Sequence, residues 1–116
     1  MIAHVILFRP HPGLGAAERG AVLQALTAAS RDIPAIRSFR VGKRVRHGLP
    51  GYEQAMSEDF EFLVLIEVDD LDALKAYLTH PSHDAFGAHF TASSAAALAY
   101  DYEIADVADA MGLVGG

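Results

Sequence analysis

Residues 71–87, LDALKAYLTHPSHDAFG, contain an amphipathic helix, a forced break and the start of a second helix. The apolar stripe of the first helix, at helical spacing, is made by Leu71, Leu74 and Leu78. Pro81 fixes its own φ angle and disfavours the α conformation at His80, so the first helix ends there and the second begins at the proline. The break therefore brings two imidazoles, those of His80 and His83, to one corner of the structure.

Two histidines at such a corner have both a chemical and a structural interpretation. Neutral imidazole accepts a proton and imidazolium donates one near pH 7, which makes the pair a candidate for acid/base chemistry. His80 precedes the proline directly, where a side chain can cap the next helix and satisfy its free N–H groups. We therefore predict a capping role for His80 and take His83 as the candidate base.

The rest of the chain alternates between strand and helix patterns. Strand patterns cover residues 2–9, 36–46, 60–68 and 98–104, whereas helix patterns cover 16–30, 71–79 and 83–94. Residues 47–59 have no sustained periodicity and are predicted to form a loop. The order β, α, β, β, α, β predicts an α+β fold of the ferredoxin-like split βαβ type, with a four-stranded antiparallel sheet and helices on one face.

The predicted sheet has more apolar surface than its helices can cover. The first and third strands are apolar on both faces, and the residues predicted to face away from the helices are Val5, Leu7, Leu63 and Leu65. Monomers rarely expose an apolar patch of that size. The pattern predicts a homodimer through the helix-free sheet face, with on the order of 1,600 Å² of total burial.

Composition limits the remaining possibilities. The chain has 116 residues, a net charge of −6 and no cysteine, which predicts one domain over residues 1–107 and a disordered tail over 108–116. Disulfides, thiolate catalysis and cysteine-ligated zinc are excluded. The absence of a signal-like segment and of ~18 consecutive apolar residues predicts a soluble, cytoplasmic protein with no membrane partner. The acidic charge argues against nucleic acid.

Neither a metal nor a cofactor is predicted. The side chains that could bind a metal near the corner are His80, His83, Asp84 and His89. Their spacing is not that of a helical i, i+4 pair, and the proline opposes convergence on one ion. No phosphate-cradling glycine motif is present, so we expect no nucleotide cofactor.

His4 and Tyr77 are the further candidate site residues. A lone histidine on an apolar strand face is most often a core residue with one hydrogen-bond partner. If that face points at the helices, however, His4 approaches His83, and the two imidazoles could act as base and acid. Tyr77 could pack with its hydroxyl bonded to the backbone, or could donate a hydrogen bond to a developing enolate. The sequence leaves both alternatives open.

Nearly the whole chain, residues 2–104, resembles the Dabb family of stress-responsive dimeric α+β barrel proteins. The segments that carry the resemblance are IAHVILFRP at 2–10, IPAIRSFRVGK at 33–43, FEFLVLIEV at 60–68, and the Tyr77, His80, Pro81, His83 core. The resemblance implies a ferredoxin-like dimer whose two sheets close into a barrel. Many members are known only as stress-associated proteins, whereas a plant polyketide cyclase of the family uses acid/base residues that match His4, Tyr77 and His83.

Three functions are consistent with these features. The first is a dimeric Dabb module that binds a small apolar ligand in a pocket between sheet and helices, lined by Ile6, Phe8, His80 and Phe86. The second is a cofactor-free, polyketide cyclase-like enzyme in which His83 removes a proton and Tyr77 and His4 stabilise or protonate the oxyanion. The third is a cofactor-independent oxygenase of activated phenols, because related dimeric barrels include such enzymes.

Overall fold

The computed structural model describes residues 1–51 and 59–115. The main elements are β1 (Ile2–Pro10), α1 (Ala16–Asp32), β2 (Ile36–Lys43), β3 (Phe62–Val68), α2 (Leu71–Leu78), α3 (Pro81–Ser93) and β4 (Ser94–Glu103). A 3₁₀ turn at Val107–Asp109 and a short helix, α4 (Met111–Val114), follow. This is the predicted split βαβ order, with the second helix divided at Pro81.

The four strands form one antiparallel sheet in the order β2-β3-β1-β4. β1 and β3 occupy its centre, and their register places His4 opposite Ile66 on β3 and opposite Asp101 on β4. Cross-strand partners point to the same face of a sheet. The sheet thus confirms the ferredoxin-like fold class and brings His4 and Asp101 together.

The core lies between the sheet and the helices. Val64, Ile66 and Val68 are fully buried on this face of β3. The residues that pack with them in one apolar cluster include Ile6, Phe8, Leu26, Ala29, Leu74 and Phe86. Burying an aliphatic or aromatic side chain of this size contributes about 1.5–3 kcal/mol, so this layer supplies most of the hydrophobic stabilisation.

The other face of the sheet is apolar, and no helix of residues 1–51 or 59–115 covers it. Val5 and Leu7 of β1 and their partners Leu65 and Leu63 of β3 are half-buried there. β4 extends this face with side chains that are 42–53% exposed, namely Leu98, Tyr100 and Tyr102. Both faces of the central strands are thus apolar, as their sequence pattern predicts. We refer to this surface as the helix-free face.

The predicted strand boundaries need correction. β4 begins at Ser94 rather than 98, and α3 ends at Ser93, because residues 94–97 pair with the end of β1 although their alanine-rich sequence has no strand pattern. β2 ends at Lys43, three residues before its predicted end, and β3 begins at Phe62. Residues 44–46 are irregular, as are residues 47–49 at the start of the predicted loop, and 50–51 form a turn. Residues 52–58 lie outside the described part.

Side-chain caps mark the starts of α2 and α3. Asp70 is the N-cap of α2, where its Oδ1 accepts a hydrogen bond from the Ala73 N–H at 2.8 Å. The neighbouring Asp69 instead binds Arg37 through two guanidinium nitrogens. His80 caps α3, with its Nδ1 accepting from the Ser82 N–H at 3.1 Å. The predicted capping role of His80 is confirmed.

The segment after β4 includes residues 108–116, the predicted disordered tail. Helix α4 occupies part of it, held by local bonds such as that from the Val114 N–H to the Ala110 carbonyl at 3.0 Å. Such bonds need only neighbouring residues, which is why a composition-based argument did not anticipate them. No helix within residues 1–51 and 59–115 combines the length and apolar character that a membrane crossing requires.

Replacing Ile66 tests the assignment of sheet faces. Ile66→Ala should lower the free energy of unfolding by about 2–5 kcal/mol, because it opens a cavity at a fully buried position. Gln24→Ala, at an exposed position on α1, should change it by no more than about 0.5 kcal/mol. Urea unfolding at one pH measures both, and equal losses would contradict the assignment.

Candidate functional site

Three aromatic rings from three elements meet at the α2–α3 corner. His4 projects from β1 toward the helices, Tyr77 points inward from the last turn of α2, and His83 lies in the first turn of α3. The His4 and Tyr77 ring centres are 5.3 Å apart and those of Tyr77 and His83 4.8 Å, both edge to face. These residues form what we call the aromatic cluster, so the predicted site residues do converge.

The break at Pro81 sets the position of His83. Capping by His80 starts α3 at the proline, and the His83 N–H bonds to the His80 carbonyl at 2.9 Å in its first turn. The side chain of His83 is thereby turned toward Tyr77 rather than outward. The His80 side chain instead caps α3 by accepting a hydrogen bond from the Ser82 N–H, and it is not part of the aromatic cluster.

Asp101 is a site residue that the sequence did not reveal. Its Oδ1 lies 2.5 Å from Nδ1 of His4, across the β1–β4 register. His4 is buried, whereas the Asp101 side chain is 41% exposed. A carboxylate at Nδ1 holds the imidazole in one orientation and favours the tautomer with its proton on that nitrogen. The other nitrogen, Nε2, is then the proton acceptor.

Two buried polar atoms of the aromatic cluster have no hydrogen-bond partner among the described residues. They are the hydroxyl of Tyr77 and Nδ1 of His83. An unsatisfied buried polar group costs about 1–3 kcal/mol, and native proteins contain few of them. Two such atoms on adjacent rings mark a position where the oxygen of a small molecule could be bound.

Burial shifts the pKa values of both groups in the direction that favours their neutral forms. The pKa of His83 is lowered, first by burial and then by the nearby His4, against the opposing effects of Asp84 and of the Leu78 backbone. The pKa of the Tyr77 hydroxyl is raised, mainly by burial and further by Asp101. At neutral pH the aromatic cluster therefore offers a neutral imidazole that can accept a proton and a phenol that can donate a hydrogen bond.

An apolar groove of about 160 Å³ opens at the Pro10 end of β1, between α1, α3 and the sheet. Its lining includes Phe8, Leu14, Val22, Leu26, Phe62 and Phe90. Phe90 contacts Phe8 at 5.0 Å and Phe86 at 5.7 Å, and Phe86 lies 6.3 Å from His83. Aromatic side chains thus connect the groove to the aromatic cluster.

The structure separates the four residues predicted to line one pocket. Phe8 lines the groove. Ile6 and Phe86 are core residues, and His80 is a helix cap. Phe62 and Phe90, which line the groove, were not singled out, because their convergence depends on how α3 packs over the end of the sheet. The sequence signal that could have identified Phe62 and Phe90 is their aromatic character on apolar faces.

Metal ligands do not converge in the described part of the chain. Among residues 1–51 and 59–115 there is no group of three or more histidine, aspartate or glutamate side chains placed to hold an ion. Asp84 and His89, which are close to His83 in sequence, are exposed on α3.

Comparison with known proteins identifies the family. The model of the stress responsive A/B barrel domain family, Dabb, matches residues 2–104. The chain belongs to the Dabb family. An uncharacterized protein of Streptomyces coelicolor is 31% identical over 87 residues, covering 73% of this chain and 81% of that protein.

Solved structures share the Dabb fold. A dimeric ferredoxin-like protein of unknown function from Thermobifida fusca aligns with a TM-score of 0.68 and 25% identity, covering 89% of this chain and 90% of that one. A hydroxynitrile lyase from Passiflora edulis aligns with a TM-score of 0.75 and 12% identity, covering 91% and 94%. The second likeness is one of fold alone. Because one fold hosts unrelated activities, function must be argued from the site.

The lowered pKa of His83 predicts a specific pH dependence of stability. Between that pKa and the ordinary value of about 6.5 the unfolded chain binds more protons, so stability falls as the pH drops through this window. His83→Gln should reduce this loss, whereas His89→Gln, exposed on the same helix, should not. Urea unfolding at pH 7.5 and 5.5 measures the difference, and identical pH dependence in all three proteins would refute it.

Proposed function

We propose that this Dabb protein binds a small apolar molecule in the groove between α1, α3 and the sheet. The observation that carries the proposal is the size and lining of the groove, about 160 Å³ with almost entirely apolar walls. Apolar cavities near 150 Å³ in proteins bind benzene. Drug-sized ligands need about 300–1,000 Å³, so the ligand portion held here is a single ring or a short alkyl chain.

The residues that line the groove are typical of a ligand-binding site rather than of a packing defect. Phe8, Phe62 and Phe90 form its inner wall, with Phe8 stacked on Phe62 at 5.5 Å. Aromatic walls favour flat apolar ligands because rings attract one another beyond simple burial. Arg19 is the charged residue of the lining and lies on the exposed side of α1. A ligand would therefore place its apolar part inside.

Filling the groove tests ligand binding. Val22→Trp should weaken the binding of toluene at least tenfold, because the indole occupies the space that the ligand needs. Gln24→Trp places the same side chain on an exposed position of α1 and should leave binding unchanged. Chemical shifts of the leucine and valine methyl groups measure the affinity. Equal affinity in the two variants would rule out the groove as the site.

We further propose that the protein is a homodimer through the helix-free face. The central leucines and valines of this face are joined by exposed Leu98, Tyr100 and Tyr102 on β4. Tyrosines are favoured at interfaces, where the ring is buried and the hydroxyl keeps a polar contact. The related protein from Thermobifida fusca is described as dimeric, which supports the same assembly here.

Two exposed leucines allow a matched test of the dimer. Light scattering should give twice the chain mass at micromolar concentration. Leu98→Arg, on the helix-free face, should yield monomers, because it would bury a charge. Leu71→Arg, at an exposed position at the start of α2, should remain dimeric. A monomeric parent protein, or loss of the dimer in both variants, contradicts the proposed interface.

The second candidate function is a cofactor-free enzyme of the cyclase type. It is favoured by the pairing of His4 with Asp101 and by the two unsatisfied atoms of the aromatic cluster. Neutral His83 would take a proton from a carbon next to a carbonyl, and Tyr77 would hydrogen-bond the enolate oxygen that results. The enolate carbon then attacks a second carbonyl, whose oxygen receives a proton. The oxygenase alternative has no separate observation in its favour.

The ranking of the two functions follows from the packing of the aromatic cluster. Its rings are in contact with each other, and Tyr77 is fully buried. A substrate carbonyl would have to separate the α3 corner from the sheet to reach the Tyr77 hydroxyl. The groove, in contrast, is already open. Ligand binding therefore needs no rearrangement, and catalysis at the cluster does.

Tyr77→Phe distinguishes catalysis from a structural role. Removing an unsatisfied buried hydroxyl should raise the free energy of unfolding by about 1 kcal/mol. An enzyme that uses this hydroxyl should nevertheless lose about 100-fold or more in turnover of a linear β-polyketide. Tyr102→Phe, on the helix-free face, serves as the control. If the parent protein has no turnover, or if Tyr77→Phe keeps full turnover, the mechanism is wrong.

A further inference from the structure

The groove has a charged residue at the end of its helical wall. The lining includes four residues of α1, namely Arg19, Val22, Leu23 and Leu26. Their spacing of three and four residues places them on one side of the helix. The apolar residues form the wall, and Arg19 lies one turn nearer the start of α1, which begins at Ala16. The apolar stripe thus ends in a guanidinium.

A hydrogen bond holds the Arg19 side chain at the rim of the groove. Its Nε donates to the carbonyl of Leu14, another residue of the lining, at 3.2 Å. Arg19 is exposed and the groove walls are almost entirely apolar, so its aliphatic stem covers part of the wall while its charged end stays in solvent. Because the bond to Leu14 uses Nε, the two terminal nitrogens of the guanidinium remain for a ligand at the rim.

Arg19 has no carboxylate partner among residues 1–51 and 59–115. Arg31, the second arginine of α1, lies 3.3 Å from the carboxylate of Asp32. The carboxylate of Glu18, which precedes Arg19 in the chain, is turned toward Gly15 instead. Within the described lining, Arg19 is also the one ionisable side chain. Its positive charge is therefore not neutralised by these neighbours, and an anionic group on the ligand would complement it.

We propose that the ligand of the groove is a small apolar acid, an aromatic or short-chain aliphatic carboxylate, whose carboxylate binds the Arg19 guanidinium at the rim. This inference rests on the ligand binding proposed above and adds the charge of the ligand to its size. A planar carboxylate accepts two parallel hydrogen bonds from a guanidinium. The apolar part fills the groove and the carboxylate stays at the solvent-exposed rim, so no charge is buried.

The position of Arg19 disfavours other classes of apolar ligand. An amine would bring a like charge to the guanidinium, and like-charge contacts oppose binding. A neutral alcohol or amide can accept a hydrogen bond from Arg19 but lacks the charge that makes such a bond stronger. The groove should therefore prefer an ionised acid to a neutral molecule of the same shape, and a neutral molecule to an amine.

A matched pair of ligands tests this preference. The molecules para-toluate and para-toluamide have the same ring and methyl group but differ in charge. At neutral pH and low salt the acid should bind about fivefold more tightly than the amide, in line with the modest strength of exposed ion pairs. Added salt should reduce the preference. Chemical shifts of the leucine and valine methyl groups measure both affinities, and an acid that binds no more tightly than the amide overturns the proposal.

Two arginines of the same helix locate the charge that is responsible. Arg19→Gln should abolish the preference for the acid, whereas Arg19→Lys, which keeps the charge, should retain part of it. Arg31→Gln removes an equally exposed arginine of α1 outside the groove and should keep the full preference. An undiminished preference in Arg19→Gln, or its loss in Arg31→Gln as well, would contradict the assignment to Arg19.

Toluene separates this proposal from that of the groove itself. If toluene binds the parent protein and not Val22→Trp, while acid and amide bind equally, the groove stands and the preference for an acid is wrong. An acid that binds Val22→Trp as tightly as the parent protein lies outside the groove, which also overturns the inference. If toluene, acid and amide all leave the methyl shifts unchanged, both proposals fail.

Discussion

The constraint on which the structure depends is a single sheet with helices on only one side and central strands that are apolar on both. Burial of β3 against α1, α2 and α3 makes the core and fixes the register of β1 and β4. The same strands present Val5, Leu7, Leu63 and Leu65 to the side without helices. One face thus stabilises the chain, and the other supplies the surface for association.

The aromatic cluster is a consequence of that packing. His4 lies on the covered face of β1 because strand side chains alternate, and His83 reaches it because Pro81 divides the second helix. Burial that stabilises the neighbouring apolar residues also leaves Tyr77 and His83 neutral and two of their polar atoms unsatisfied. Proteins tolerate such local cost where a function requires it. The cluster therefore offers a neutral imidazole and a neutral phenol, although its rings are closely packed.

The two candidate functions lie at opposite ends of the layer between sheet and helices, with ligand binding at the groove and catalysis at the aromatic cluster. The groove at the Pro10 end is open and apolar, whereas the cluster at the α2–α3 corner is polar and closed. Phe86 and Phe90 lie between them. Ligand binding and catalysis, the two candidate functions, thus belong to different parts of the layer between sheet and helices.

The sequence by itself determined the order of the elements, the corner at Pro81, the capping by His80, and the two apolar faces of the central strands. These follow from local rules: the period of apolar residues, the restricted φ angle of proline and the hydrogen bonds of helix ends. The sequence also singled out His4, Tyr77 and His83, and their contact is observed. Their roles in function stay a prediction.

Only the tertiary structure decided that Asp101 faces His4, that β4 begins at Ser94 and that Phe8, Phe62 and Phe90 share a groove. Each depends on the pairing register of distant strands or on the packing of α3 over the sheet. A shift of one residue in that register would turn Asp101 to the other face. No local pattern encodes such long-range choices, because they are set by the burial of the whole core at once.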